Sequence, residues 1–151
     1  MLGRPTISWP ALLLAKLAVG LSLALMLWKL TSSGLRLPAP AAAVFLVLAL
    51  VGLLLLVAGI FRLGSNLRVG LPDEQTTLVT SGVYRFSRNP IYAGVFCLMG
   101  ASLICAFSWL NVAAVLAGGL LHHRIVLAEE KFLASRFAGY DAYRRRVRRY
   151  L

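Results

Sequence analysis

The chain has 151 residues, 60% of them hydrophobic and only 14% charged, whereas an average soluble domain is about 25% charged. That balance excludes the ordinary soluble globular class. Sixteen Lys and Arg against five Asp and Glu give a formal charge of +11, which in a soluble protein points first to nucleic acid. Here half of the basic residues lie from Arg124 onward, behind a long apolar run. Basic flanks of that kind record cytoplasmic orientation and contact with anionic lipid, so membrane lipids are the expected partner and nucleic acid is not.

At roughly 20 residues per crossing, a chain of this size holds about four transmembrane helices. The first expected helix is Trp9 to Leu30, WPALLLAKLAVGLSLALMLWKL, with Lys16 as its one charge before Lys29. Trp9 and Trp28 stand about 28 Å apart along a helix, close to the hydrocarbon thickness, and tryptophan favours the interfaces. The run is too long for the core of a signal peptide. After the turn-rich TSSGLRLPAP, residues 41–61 form an uncharged run, AAAVFLVLALVGLLLLVAGIF. It is the clearest transmembrane segment of the chain.

A polar loop follows up to Asn89, broken by glycines, Pro72 and the acidic pair Asp73 and Glu74; its length alone suggests function. The third apolar run starts at Pro90 and reaches about Phe107. Ser108 to Asn111 reads as a tight connection to a fourth run, Val112 to Ala128, so the two make a helical hairpin. Beyond it, EEKFLASRFAGYDAYRRRVRRYL sets Phe132, Leu133, Phe137, Tyr140 and Tyr143 among many charges, the pattern of an amphipathic helix on a membrane surface. The expected fold class is therefore all-α: a polytopic membrane helical bundle of about four transmembrane helices plus a C-terminal amphipathic cytoplasmic helix. It forms a single membrane domain, 1–151, divided as 1–62 (two helices), 63–89 (loop), 90–128 (hairpin) and 129–151 (basic tail).

Orientation follows from the arginines. Arg62, Arg68, Arg85 and Arg88 and the denser set after Arg124 share one side if two crossings separate them, and the positive-inside rule makes that side cytoplasmic. Cys97 and Cys105 are too far apart along one helix for a disulfide. His122 and His123, adjacent in sequence, point to different sides and have no cysteine partners, so no metal site is expected.

Two places concentrate polar chemistry. Asn89-Pro90 has the form of a helix start, with Asn as N-cap and Pro at the first helical position, and it brings free N–H groups and the positive dipole end close to Arg85 and Arg88. Such a place attracts an anion, whether a ligand or lipid phosphate. Glu129 and Glu130, the chain's adjacent glutamates, fall where the fourth run meets the tail. They are read either as local ion pairs with Arg124 or Lys131 or as a site for a cationic ligand.

TTLVTSGVYRFSRNPIYAG, Thr76 to Gly94, resembles the first signature of the membrane methyltransferases that include isoprenylcysteine carboxyl methyltransferase and the phospholipid methyltransferases. EEKFLASRFAGYDAYRRRV, Glu129 to Val147, resembles the second. The resemblance implies S-adenosyl-L-methionine as cofactor and a lipophilic acceptor arriving from the membrane. It also implies cofactor contacts from Thr76, Thr77, Leu78 and Val79, from Tyr84, from Asn89, Pro90, Ile91 and Tyr92, and from Glu129. Asn89 stands where the carboxyl methyltransferases have His, FAGY is one residue short, and Arg148 replaces a proline. The family's substrate-contacting arginine falls at Ile125, which leaves Arg124 as a one-residue-shifted substitute to orient an anionic acceptor.

The implied reaction is methyl transfer to a carboxylate of an isoprenylcysteine-like or other lipid, with phospholipid, small-amine and thiol acceptors as alternatives. A carboxylate is ionised at neutral pH and needs no base, whereas an amine must lose a proton. Two rival readings are an NADPH-dependent sterol-type membrane reductase and a non-catalytic lipid-binding protein whose tail is an electrostatic anchor.

Overall fold

Leucine-, valine- and alanine-rich runs bounded by Gly and Pro leave the backbone one way to satisfy its polar groups in hydrocarbon, the α-helix. The computed structural model describes residues 8–64 and 77–151, and among these it contains five α-helices and no strand. Helix α1 spans Trp9–Ser33, α2 Ala39–Leu63, α3 Pro90–Cys105, α4 Trp109–Arg136 and α5 Tyr140–Arg146. The first two and α4 are long and apolar enough to cross a membrane. At about 24 Å, α3 is shorter and lies against the other three. The all-α membrane bundle expected from the sequence is the fold observed.

Helix α3 packs along α2 at close range because both present glycine. A Cβ placed on Gly94 would meet the Gly52 carbonyl oxygen at 2.6 Å and the Leu56 nitrogen at 2.8 Å, and one on Gly52 would meet the Gly94 carbonyl oxygen at 2.9 Å. Small residues let the backbones approach, the usual device where lipid removes the hydrophobic drive for helix association. Ile91 lies against Gly59 near one end of the pair, and Phe45 packs with Ala101 and Cys105 near the other. The two helices therefore run antiparallel.

Helix α1 packs on α4, where Ala18 and Val19 lie beside Gly118. A polar knot joins three helices: Ser22 Oγ and Ser102 Oγ are 2.6 Å apart, and Asn111 Nδ2 donates to the Ser102 and Ala106 carbonyls at 3.1 and 3.0 Å. All three side chains are fully buried. Each such hydrogen bond contributes roughly 0.6 kcal/mol in a bilayer.

Two expected boundaries move. Trp109 to Asn111 is the first turn of α4 rather than a connection, because the Ser108 hydroxyl accepts from the Asn111 N–H at 3.1 Å and caps the helix. At its other end α4 continues eight residues beyond Ala128, to Arg136. The sequence AEEKFLASR has no breaker and consists largely of strong helix formers. The amphipathic tail is thus divided between the end of α4, the short α5 and an extended strap, 147–151.

Helices α3 and α4, running out and back, bring both polar regions to one end. Residues 77–89, with a 3₁₀ turn at Gly82–Arg85, lie against the strap: Ser87 and Arg148 form an isolated parallel bridge. Gly82 adopts φ +63 with the Arg62 side chain against it, and Arg62 hydrogen-bonds Ser81. Gly94→Ala is expected to lower stability by about 1–3 kcal/mol, because the atoms a Cβ meets are backbone. Gly119→Ala, which meets nothing within 4 Å, is the control, and thermal unfolding in detergent compares them.

Candidate active site

Glu130 organises this end of the molecule. Its carboxylate accepts from Arg88 Nε at 3.0 Å and Arg88 Nη2 at 3.1 Å, from Asn89 Nδ2 at 2.9 Å and from Arg149 Nε at 3.0 Å. The Arg88 and Glu130 side chains are only 7% and 6% exposed. Arg88 also reaches the strap, where Nη1 donates to the carbonyls of Val147 at 2.5 Å and Arg144 at 3.2 Å. The backbone N–H groups of Arg88 and Asn89 donate to the carbonyls of Arg148 and Arg149. One buried carboxylate thereby holds α3, α4 and the strap together.

This corrects two local expectations. Asn89 sits at the N-cap position of α3 but makes no capping hydrogen bond, because its amide is spent on Glu130 and on the Arg149 carbonyl at 3.2 Å. The anion attracted to this helix start is the chain's own Glu130, so the positive charge of Arg88 is already matched. Glu130 pairs across the fold with Arg88 and Arg149, not with its neighbours Arg124 or Lys131.

Glu129 has a different environment. The Tyr92 hydroxyl donates to its Oε1 at 2.9 Å, which joins the two sequence signatures side chain to side chain. One turn farther along the same face of α4 stands Leu133, with Phe137 just past the helix end; two turns the other way stands His122, whose ring lies 5.9 Å from that of Tyr92. The His122 Nδ1–H donates to the Gly118 carbonyl at 2.8 Å.

Leu133 and Phe137 also line a cavity of about 110 Å³, together with Leu63, Thr77, Leu78, Val79, Tyr84, Arg88, Tyr140 and Tyr143. The Tyr143 hydroxyl donates to the Tyr84 carbonyl at 2.7 Å and so ties α5 over the loop. Burial, with Tyr140 alongside, pushes the Tyr143 phenol up to about 12. Burial also raises Tyr84 above the ordinary tyrosine range, reinforced by Tyr143 and Glu129. Both remain neutral phenols at any physiological pH. Tyr140 is 1% exposed, and its O–H proton has no acceptor among the described residues. The neighbouring Arg88 has only donors to offer it.

Of the residues singled out in the sequence, Thr77, Leu78, Val79 and Tyr84 line the cavity, and Tyr92 and Glu129 meet beneath it. Pro90 is buried at the start of α3 and Ile91 packs on α2, while Thr76 lies outside the described residues. Arg124 is exposed, roughly 140° around α4 from Glu129 at 100° per residue, and Ile125 is buried at 3%. Three participants escape a linear reading. Tyr140 and Tyr143 look like part of an amphipathic pattern, and Lys16 looks like a stray charge, yet Lys16 is near enough to Glu129 and His122 to act on both electrostatically. Among the described residues, His, Cys, Asp and Glu form no group of three able to hold a metal ion.

Glu130→Gln leaves Arg88 buried against a neutral partner. A loss of about 3–5 kcal/mol is expected for breaking a buried pair, with release of the strap. Faster tryptic cleavage within residues 144–149 and a lower melting temperature would record it.

Comparison with known proteins agrees with this geometry. The chain matches the family model PEMT, Phospholipid methyltransferase, over residues 40–139. It is 31% identical over 75 residues to the cobalt-zinc-cadmium resistance protein CzcN of Cupriavidus metallidurans, a match covering 49% of this chain and 35% of that protein. The chain thus aligns with about a third of that relative's length. No solved structure matches. The matched region runs from α2 through α3 to the end of α4, carrying the Tyr92–Glu129 contact and Glu130 with its partners Arg88 and Asn89, and on the match over residues 40–139 the chain belongs to the phospholipid methyltransferase family of membrane methyltransferases.

Proposed function

We propose that this protein transfers a methyl group from S-adenosyl-L-methionine to a lipophilic acceptor held in the membrane, with a lipid carboxylate, as in an isoprenylcysteine, the favoured nucleophile. The observation that carries this reading is the Tyr92–Glu129 hydrogen bond of 2.9 Å beneath an apolar cavity. The residues present fit such a cofactor. Leu78, Val79, Tyr84, Leu133 and Phe137 offer an apolar and aromatic wall to a purine. The Tyr140 O–H, buried without an acceptor, suits a nucleoside nitrogen or hydroxyl. Glu129 suits the cationic part.

When bound, S-adenosylmethionine supplies an electrophilic methyl group on a positive sulfur that leaves as a neutral thioether. The chain's contribution is placement and exclusion of water. Thr77, Leu78, Val79 and Tyr84 form one wall; Asn89, Pro90 and Ile91 act from behind it, through the Glu130 cluster that fixes the start of α3. Helix α5 closes the other side through Tyr140 and Tyr143, with Arg88 tied to the strap. Arg124, exposed on another face of α4 from Glu129, attracts an anionic acceptor to the bundle surface before it docks. A carboxylate attacks without losing a proton, so no base is required.

The four parts, 1–62, 63–89, 90–128 and 129–151, act as one membrane domain with the site facing the cytoplasm, because the arginines of the loop and strap share that end. A phospholipid amine is the second acceptor class, favoured by the family's description. It requires a base as well.

Glu129→Gln and Tyr92→Phe are expected to weaken S-adenosylhomocysteine binding about 10- to 100-fold, the scale of a hydrogen bond to a charged group, with the melting temperature of the unliganded protein little changed. Isothermal titration of the purified protein measures this, and full affinity in both variants rejects the site. Protection from unfolding by NADPH, and not by S-adenosylhomocysteine, overturns the reaction class. Incubation with radiolabelled methyl donor and a whole lipid extract tests the acceptor: base-labile label released as methanol is expected, and base-stable label indicates an amine or thiol.

A further inference from the structure

Helix α1 lies outside the matched family region, which begins at residue 40, so its contribution has to come from its own chemistry. It holds a lysine, Lys16, seven residues in from Trp9, about 10 Å along the helix. An ammonium at that depth is costly unless it has a counter-charge or a polar destination. Among the described residues Lys16 makes no ion pair, and its side chain is exposed rather than packed away.

The register of α1 on α4 gives it a destination. Ala18 and Val19 lie beside Gly118, and the two helices run antiparallel, so Lys16 comes level with the next turn of α4, where His122 stands. Ala15, the residue before Lys16, is fully buried in the bundle. The His122 ring in turn lies 5.9 Å from that of Tyr92, whose hydroxyl donates to Glu129 at 2.9 Å.

Resting on the S-adenosylmethionine reading, the charge count is incomplete. The cofactor's sulfonium, ammonium and carboxylate leave one net positive charge. Glu129 balances it, and Lys16 then stands as a second, unmatched cation in a region of low dielectric. A lipophilic molecule bearing one negative charge completes the set.

We infer that Lys16 docks the anionic group of the acceptor, a carboxylate or a lipid phosphate, on the side of α1 that faces His122 and Glu129. Snorkelling toward the Trp9 end needs no such ligand, and the two differ in what the protein retains from the bilayer.

The full chain in phosphatidylcholine nanodiscs is titrated with spin-labelled stearate, spin-labelled phosphatidic acid and the neutral methyl ester of the same stearate. Electron paramagnetic resonance reads the motionally restricted fraction. The anionic probes are expected to be retained roughly fivefold over the ester, the scale of one basic residue at a membrane surface. Lys16→Gln should erase that excess and Lys16→Arg should keep it, as should Lys29→Gln at the far end of α1. An excess for stearate alone assigns a carboxylate ligand, and one for phosphatidic acid alone assigns a phosphate. Retention of the excess in Lys16→Gln, or equal retention of the ester by the wild type, overturns the inference. S-adenosylhomocysteine titration of the same samples keeps the two readings apart: a wild type that prefers anions but binds no S-adenosylhomocysteine loses the cofactor reading alone. An unchanged circular dichroism spectrum and melting temperature in Lys16→Gln show that the variant is folded.

Discussion

The buried carboxylate of Glu130 is the constraint on which the polar end of this protein depends. Removing a carboxylate and a guanidinium from water is expensive, and the attraction between them offsets that only when the remaining donors and acceptors are also satisfied. Here Arg88, Asn89 and Arg149 supply four hydrogen bonds to Glu130. Arg88 turns its remaining reach to the carbonyls of the strap. The result is a junction between the start of α3, the end of α4 and the C-terminal residues, and Arg88 and Leu133 of the cavity lining stand beside it.

Adjacent glutamates have consequently taken different tasks. At 100° per residue, Glu129 and Glu130 cannot face the same neighbours. Glu130 faces Arg88 and the strap and is saturated. Glu129 faces Tyr92, one turn from the cavity residue Leu133 and two turns from His122. Glu130 is saturated and joins the elements, whereas Glu129 keeps acceptor capacity beyond its bond to Tyr92, which is why the proposed function gives it the cationic part of the ligand. Substitutions at the two positions should therefore separate stability from affinity.

The membrane portion solves a separate problem, that of bringing two distant polar segments to one end. The glycine contact between Gly52 and Gly94 holds α3 tightly to α2, and the Ser22–Ser102–Asn111 knot ties α1, α3 and α4 near the opposite end. With α3 fixed between its neighbours, Tyr92 and Glu129 meet from helices that are separated by 37 positions in the chain. Lys16, brought level with the same region by α1, adds a positive charge that Arg124 does not duplicate, since the latter lies on another face of α4.

The sequence by itself determined the class of fold, the apolar runs, the side shared by loop and tail, and the two signatures with Tyr92, Tyr84 and Glu129 in them. Those are properties of composition, of hydropathic length and of motifs contiguous in the chain. The helix starting at Pro90 was legible in Asn-Pro, yet the use of the Asn89 amide was not, because a side chain at an N-cap goes to the strongest acceptor within reach and that acceptor, Glu130, lies 41 positions away. The extension of α4 to Arg136, the pairing of Glu130 with Arg88 instead of Lys131, the arrival of Tyr140 and Tyr143 at the cavity wall and the approach of Lys16 to Glu129 were decided only by tertiary structure. Each depends on which faces of two helices come into register, and that is set by glycine contacts and buried hydrogen bonds between segments far apart in the chain.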